Sequence, residues 1–317
     1  MTLQQKKTRF RAYHLETAGS SFSYFDGSRF TLIEARYTDR NQDSIEEEMK
    51  HCNVKKIHTL HITSWDQDHC TPSQLDEILQ RYTPIRIEYP GYEPHTESGC
   101  ESLKLIRSYG KLSKQNLKLV QVTPDYIASL DPSNSYGYND VIYHPKDIDP
   151  NSPNNNSTVK LFRRGSFNVL SLGDVESTQI ASNIRAYSTA NKETDIMILA
   201  HHGANNGFTT SAFLKKIKPK IAIVSADFAN QYEHPKPEIR ALLHKQNIKL
   251  FTTKTGDVVV YSINTHTGHY RLENLKAGSS EISSKYDFKA KKLNRLSVNS
   301  DTLQARKKGA NRGPKKR

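Results

Sequence analysis

The 317-residue sequence predicts an α/β fold. Two patterns carry that expectation. Short apolar runs suited to buried strands alternate with longer stretches of helical length and period. Acidic or imidazole side chains recur just after several of those runs, at the edge where layered α/β proteins gather ligands.

Residues 10–36 read as strands. Within them, 22–25 and 30–33 flank Asp26-Gly27-Ser28, a hairpin signal with a glycine in the turn. Residues 43–52 read as helix and 60–62 as a short strand. Thr71-Pro72 opens a helix through 81, because proline suits a first helical turn. Strand (85–89), helix (97–109) and strand (117–122) follow. Residues 124–155 are rich in Asn, Ser, Pro, Asp and Tyr, and read as a long surface segment, a substrate-facing insertion. Runs at 158–162, 167–172 and 196–200 read as strands, with one helix over 176–190. Helix 210–217, strand 221–225, helix 236–246, and strands 248–253 and 257–263 complete the series. Periodicity stops near residue 272. The expected division is a folded domain over 1–275 and a basic flexible tail over 276–317.

The chemistry concentrates in Ser64-Trp65-Asp66-Gln67-Asp68-His69, directly after the strand at 60–62. Two carboxylates and an imidazole within four residues make a ligand set for a divalent ion, zinc or manganese, carboxylates favouring the harder ions. Asn156-Ser157 precedes one later strand, Gly173-Asp174 follows another, and His201-His202-Gly203 follows a third. The glycines let the backbone turn sharply beside Asp174 and His202. Neighbouring strand side chains point to opposite faces, so only one of the two histidines can join Asp68 and His69. His202 is assigned as the ligand, and His201 to holding a neighbouring group or touching substrate. Asp66, Asp68, His69, Asp174 and His202 are thus the expected metal ligands. A bound divalent ion lowers the pKa of water from about 16 towards about 7, and hydrolysis is the natural outcome. Asp68 and Asp174 would hold the resulting hydroxide. His234, in a loop stiffened by Pro235 and Pro237, is the expected proton donor or oxyanion contact. Trp65 and Cys70 are expected to pack beneath the loop, and His58 and His61 to be structural. Nothing suggests redox chemistry, since the chain has neither a thiolate set nor a dinucleotide fingerprint.

These motifs, in this order, resemble the metallo-β-lactamase superfamily, and most of all the hydrolase domain of the bacterial DNA-uptake protein ComEC. Asn230 to Glu238 is similar to that domain's late Tyr-Gly-His-Pro motif, and the likeness runs from about residue 10 to about 265. The resemblance implies a four-layer αββα sandwich. It also exposes departures. The superfamily's first motif is His-x-His-x-Asp-His, and here Ser64 and Asp66 stand at its first two positions. Asn156 matches an Asn that ComEC-like members have where the superfamily has another histidine. Ser64 and Asn156 therefore make a weak first site, and one firmly held metal is expected, with a second held loosely. An Ile-Asp-x-Gly-like turn is replaced by Ile33-Glu34-Ala35-Arg36.

Net charge is +13. Residues 285–317 hold twelve Lys or Arg against Asp287 and Asp301, so most of the excess sits there. Scattered apolar residues in that stretch are too few for a core, so it is expected to be disordered. Arg306-Lys307-Lys308 and Lys315-Lys316-Arg317 suit contact with phosphate backbones without base reading. Three cysteines give no disulfide framework and suit a reducing compartment. No signal peptide or membrane span is visible, so a cytoplasmic location without membrane partners is expected. The function these readings favour is a metal-dependent phosphodiesterase or nuclease acting on nucleic acid. The alternatives are a hydrolase of small phosphoesters, cyclic nucleotides or lactones with the same fold, or a non-catalytic nucleic-acid-binding relative.

Overall fold

A computed structural model describes residues 5–112, 116–130 and 139–293. The first half comprises β1 (Arg9–Ala12), β2 (Phe22–Phe25), β3 (Phe30–Ile33), α1 (Gln42–His51), β4 (Thr59–His61), α2 (Pro72–Tyr82), β5 (Arg86–Pro90), α3 (Glu97–Leu112), β6 (Lys118–Val122) and α4 (Pro124–Ser129). The second comprises β7 (Val141–His144), β8 (Val159–Phe162), β9 (Val169–Ser171), α5 (Thr178–Ala186), α6 (Ser188–Glu193), β10 (Ile196–Ile198), α7 (Ser211–Ile217), β11 (Ile221–Val224), α8 (Pro237–Lys245) and β12 (Lys249–Thr252). The last strands are β13 (Val258–Ser262), β14 (His269–Leu275) and β15 (Ile282–Lys289).

Among the described residues these strands form two sheets. One runs β15-β14-β13-β1-β2-β3-β4-β5-β6 and the other β12-β11-β10-β9-β8-β7. The strands that carry the motifs, β3 to β6 and β9 to β12, are parallel to their neighbours within each run.

Side-chain alternation builds the layers. Leu32, Leu60 and Ile87 pack with Ile45, Leu75, Ile78 and Ile106 of α1, α2 and α3. Their strand neighbour Ile33 points the other way, into a layer with Phe10, Phe22, Phe162, Val169, Ile196, Ile198, Ile221 and Ile223. In the second sheet Leu170, Met197 and Ala222 face outward and pack on Ile184, Phe213 and Leu243 of α5, α7 and α8. Helices therefore cover both outer faces of two stacked sheets. The architecture is the four-layer αββα sandwich.

Three expectations need correction. The single helix over 176–190 is two, α5 and α6, broken at Tyr187, whose extended backbone (φ −78°, ψ 114°) cannot continue a helix. The segment 124–155 is not merely a surface insertion, because its β7 pairs antiparallel with β8 and extends the second sheet. The tail does not begin at 276. β15 pairs with β14 in the register Tyr270↔Phe288 and Leu272↔Tyr286, and the Phe288 ring stacks on Tyr270 at 5.4 Å. Beyond it Ala290 and Lys292 are buried. Lys291 Nζ donates to the carbonyls of Asn191 (2.7 Å) and Ile217 (2.6 Å), and Lys292 Nζ to Asn168 Oδ1 (3.0 Å). The polar composition of β15 hid it, since most of its side chains face solvent at a sheet edge. Arg306, Lys307, Lys308, Lys315, Lys316 and Arg317 lie outside the described residues.

Candidate metal centre

The site forms at the C-terminal ends of the parallel strands. After β4 the chain makes a tight turn in which the N–H groups of His69 and Cys70 both donate to Asp66 O (2.9 and 2.8 Å). The turn is pinned from two sides, by Ser20 N–H donating to Asp68 O and Ala35 N–H to His69 O, both at 2.8 Å. Trp65 lies buried beneath it and donates its indole N–H to Tyr92 O (2.8 Å). After β9, Gly173 turns in the left-handed region (φ 55°) to present Asp174, and a side chain there would meet Ser157 Cβ at 2.8 Å. After β10 the chain enters a 3₁₀ turn over Ala200–Gly203, in which His201 and His202 have φ of 45° and 50°. Left-handed backbone at two consecutive non-glycine residues costs about 1 kcal/mol or more each, and such strain concentrates at functional sites.

Asp68, His69, Asp174 and His202 each offer one ligand atom, and these atoms lie within 4.8 Å of one another. His202 Nε2 is 3.0 Å from Asp68 Oδ2, and His69 Nε2 is 3.0 Å from Asp174 Oδ2. His202 Nδ1 is 3.0 Å from Ser225 O, a contact that fixes the ring with Nε2 toward the group. His69 and Asp174 are buried, whereas Asp68 and His202 are partly open to solvent.

The charges are coupled. Burial alone would raise the Asp68 carboxyl, but His69 and His202 hold it well below the usual carboxylate range. Asp174 is lowered likewise, against burial, chiefly by His69. Burial opposes charge on His69 too, yet Asp174, Glu34 and Asp68 lift its pKa well above the ordinary value. His202 is raised against burial mainly by its contact with Asp68. A two-nitrogen, two-carboxylate set suits a divalent ion. His69 Nε2 fits that role as well: it is buried at the centre of the group without an aligned hydrogen-bond partner.

Not every expected ligand joins this group. Asp66 stays outside it, because its carboxylate Oδ2 accepts from Ser64 Oγ at 2.9 Å. Ser64 is shared with the Tyr92 hydroxyl (3.1 Å). Asn156 is buried with its amide spent on the backbone of Asp149, accepting from N–H (2.8 Å) and donating to the carbonyl (2.7 Å). The expected weak first site of Ser64 and Asn156, and Asp66 beside it, are therefore tied up in turn-holding hydrogen bonds. His201 also takes a different path from the one its spacing implied. Neither histidine is on the strand, and the turn aims His201 Nδ1 at Glu176 Oε1, 2.5 Å away. The His234 ring lies 6.4 Å from that of His202 and 6.1 Å from that of His201. Burial, then those two neighbours, push its pKa down to about 4, so it is neutral at pH 7. It can donate a hydrogen bond to an oxyanion, but as a neutral ring it is not the acid the sequence suggested.

Glu34 escaped the sequence reading. Its carboxylate lies 3.3 Å from His69 Nδ1 and accepts from Thr63 Oγ1 (2.6 Å) and Thr63 N–H (3.0 Å). The departure at Ile33-Glu34-Ala35-Arg36 was the signal. A buried carboxylate at φ 67° immediately after a strand needs a partner, and His69 is that partner. Glu34→Gln should weaken metal affinity about 10- to 100-fold, because partners behind a ligand histidine set its orientation and basicity. Competition with a chromophoric chelator measures this directly.

No family model matches the chain. ComE operon protein 3 of Bacillus subtilis strain 168 is 24% identical over 225 residues, covering 69% of this chain and 26% of that protein. Competence protein ComA of Neisseria gonorrhoeae is 27% identical over 118 residues, covering 37% of this chain and 16% of that protein. The chain is ComEC-like and has the metallo-β-lactamase fold. It spans about a quarter or less of the length of these curated relatives. Among solved structures, a metallo hydrolase from Ignicoccus hospitalis superposes with a TM-score of 0.47 at 13% identity, covering 79% of this chain and 98% of that one. Among the described residues of the ComEC-like chain, no helix is long and apolar enough to cross a membrane.

The raised pKa values of His69 and His202 set the pH dependence of metal loading in the ComEC-like chain. Both rings are shifted toward the protonated form by the carboxylates beside them, and a ligand imidazole must be neutral. Binding therefore displaces protons and weakens as pH falls. With two protons displaced, apparent affinity should drop by up to about 100-fold per pH unit. Calorimetry in buffers of different ionisation enthalpy counts the protons, and a value of zero at pH 7 contradicts this reading.

Proposed function

We propose that this chain is a metal-dependent phosphodiesterase that cleaves nucleic acid. The observation that carries the reading is the group of Asp68, His69, Asp174 and His202, open to solvent on the Asp68 and His202 side. These four residues would hold a divalent ion, which would supply a nucleophile at neutral pH and polarise a phosphoryl oxygen. The chain's own residues do the rest. Asp68, held ionised, accepts a hydrogen bond from the attacking water. Glu34 and Ser225 fix the two imidazoles. Neutral His234 offers an N–H to a phosphoryl oxygen.

Support for a polymeric substrate comes from the surface beside His234. Phe228 and Tyr232 are 74% and 60% exposed, and the Tyr232 ring stacks on His234 at 5.7 Å. Exposed aromatic rings beside a hydrolytic centre suit unstacked bases. The basic residues near the C-terminus add charge for phosphate backbones. The test is a metal-loaded screen of labelled single-stranded DNA, duplex DNA and RNA beside a generic phosphodiester. Cleavage of the generic ester alone moves the reading to a small-molecule substrate, and no cleavage of any overturns it.

Deleting residues 294–317 should weaken nucleic-acid binding and flatten its salt dependence. The slope of log affinity against log salt should fall by roughly 0.7–0.9 for each phosphate that the shortened chain no longer neutralises. The cut must spare β15 and the lysines at 291 and 292, which are part of the folded body. Binding isotherms at several salt concentrations check this; an unchanged slope assigns those residues no role in phosphate binding.

A further inference from the structure

A cavity of about 860 Å³ opens at the edge of the sheets opposite the metal centre. Its lining includes Arg29, His58, Ile85 and Lys118, at or before the N-terminal ends of β3, β4, β5 and β6, whereas the ligands follow the C-terminal ends. It exists because the apolar layer between the sheets stops there. Inward positions of β4, β5 and β8 carry His61, Arg86, Glu88 and Lys160 instead. Those inner charges are matched: Glu88 accepts from Lys160 Nζ (2.6 Å) and Arg86 Nε (2.7 Å), and lies 2.9 Å from His61 Nδ1.

The mouth is not matched. Arg29, Lys118 and Lys146 have no ion-pair partner among the described residues, and Arg164 has only Asp140, at 4.0 Å. The nearby Asp26 is occupied by the backbone N–H groups of Ser28 and Arg29. His58 registers the resulting positive field: burial and then Arg29, with Arg86 and Arg164, lower its pKa. Aromatic rings line the same space. Tyr187 packs on Tyr143 at 4.7 Å, Lys146 Nζ lies 5.9 Å over the Tyr187 ring, and the Tyr126 hydroxyl accepts from Arg86.

We propose that this cavity binds a nucleoside phosphate, with the phosphate at the cationic mouth and the base against the tyrosines. The volume suits one small ligand, and sites of this kind combine apolar walls with a few convergent polar groups. Cations spaced along this rim offer charge-assisted hydrogen bonds to a phosphate, and a flat base gains stacking that a bare phosphate cannot. The site is separate from the metal centre and does not depend on the activity proposed for it.

Calorimetric titration of the full chain with a nucleoside monophosphate, and separately with inorganic phosphate, tests the assignment. Saturable one-to-one binding is expected, at least about tenfold tighter for the nucleoside monophosphate. Arg29→Ala/Arg164→Ala should weaken it at least about tenfold, while Asp174→Ala, at the metal centre, leaves it unchanged. Should the double variant fail to fold, Lys146→Ala at an exposed position carries the same expectation. Absence of binding to the unaltered chain overturns the site. So does binding that survives the cavity variants but is lost in Asp174→Ala. Equal affinity for inorganic phosphate overturns the nucleoside part.

Discussion

Asp68→Ala and His69→Ala are each expected to lower kcat/KM for nucleic-acid hydrolysis by about a thousand-fold or more, the scale on which loss of one transition-state charge interaction is felt. Neither replacement should leave metal content intact, since each removes one of four donor atoms from the group. The two also differ in kind. His69 is buried between Asp174 and Glu34, so its loss removes the group that lies between two buried carboxylates. Asp68 is partly exposed, and its loss frees His202 Nε2. His69→Ala should therefore reduce thermal stability in the metal-free protein more than Asp68→Ala does. Elemental analysis, steady-state kinetics and melting curves on the same preparations separate these effects. Full activity in both variants would remove the hydrolytic reading.

The second large effect is on stability, at a buried ion-pair network outside the ligand group. Glu88→Ala should destabilise the fold by about 3–5 kcal/mol, because it strands Lys160 and Arg86 in the interior with no carboxylate between them. Burial would raise the Glu88 carboxyl, yet Lys160, then His61 and Arg86, keep it well below the ordinary range, which shows how fully it depends on these partners. The expected fall in melting temperature is roughly 10 °C for a chain of this size. A denaturant series that gives less than about 1 kcal/mol would mean that the network is solvated and dispensable.

What the sequence made legible follows from local patterning. The hairpin at Phe22–Phe25 and Phe30–Ile33 announced itself through Asp26-Gly27-Ser28, and Asp26 Oδ1 does accept from the Ser28 and Arg29 N–H groups. The apolar runs of β9, β10 and β11 read as buried strands because both faces of those strands are covered. The motif order placed Asp68, His69, Asp174 and His202 at strand ends. The misreadings were of another kind. Asp66 and Asn156 are chemically competent ligands, and only tertiary hydrogen bonds to Ser64 and Asp149 show where their oxygens are spent. Glu34 sits in sequence 35 residues before His69, so nothing local joins the two. β15 has an apolar face of Ile282, Tyr286 and Phe288, but it lies among serines and charges in a polar stretch, and its pairing with β14 is what makes it evident. The Glu88 network likewise joins residues from three strands that carry no local signature.

The docking of Ala290 to Leu293 beside Asn168 and Asp195 has a geometric consequence. Those two residues precede β9 and β10, so the last described residues sit at the end of the sandwich opposite the ligands. Asp174 and His202 follow the other ends of those same two strands, so β9 and β10 are held at one end by Lys291 and Lys292 and carry ligands at the other. Loosening the contacts of Lys291 and Lys292 would therefore be felt along the two strands that position half of the ligand group.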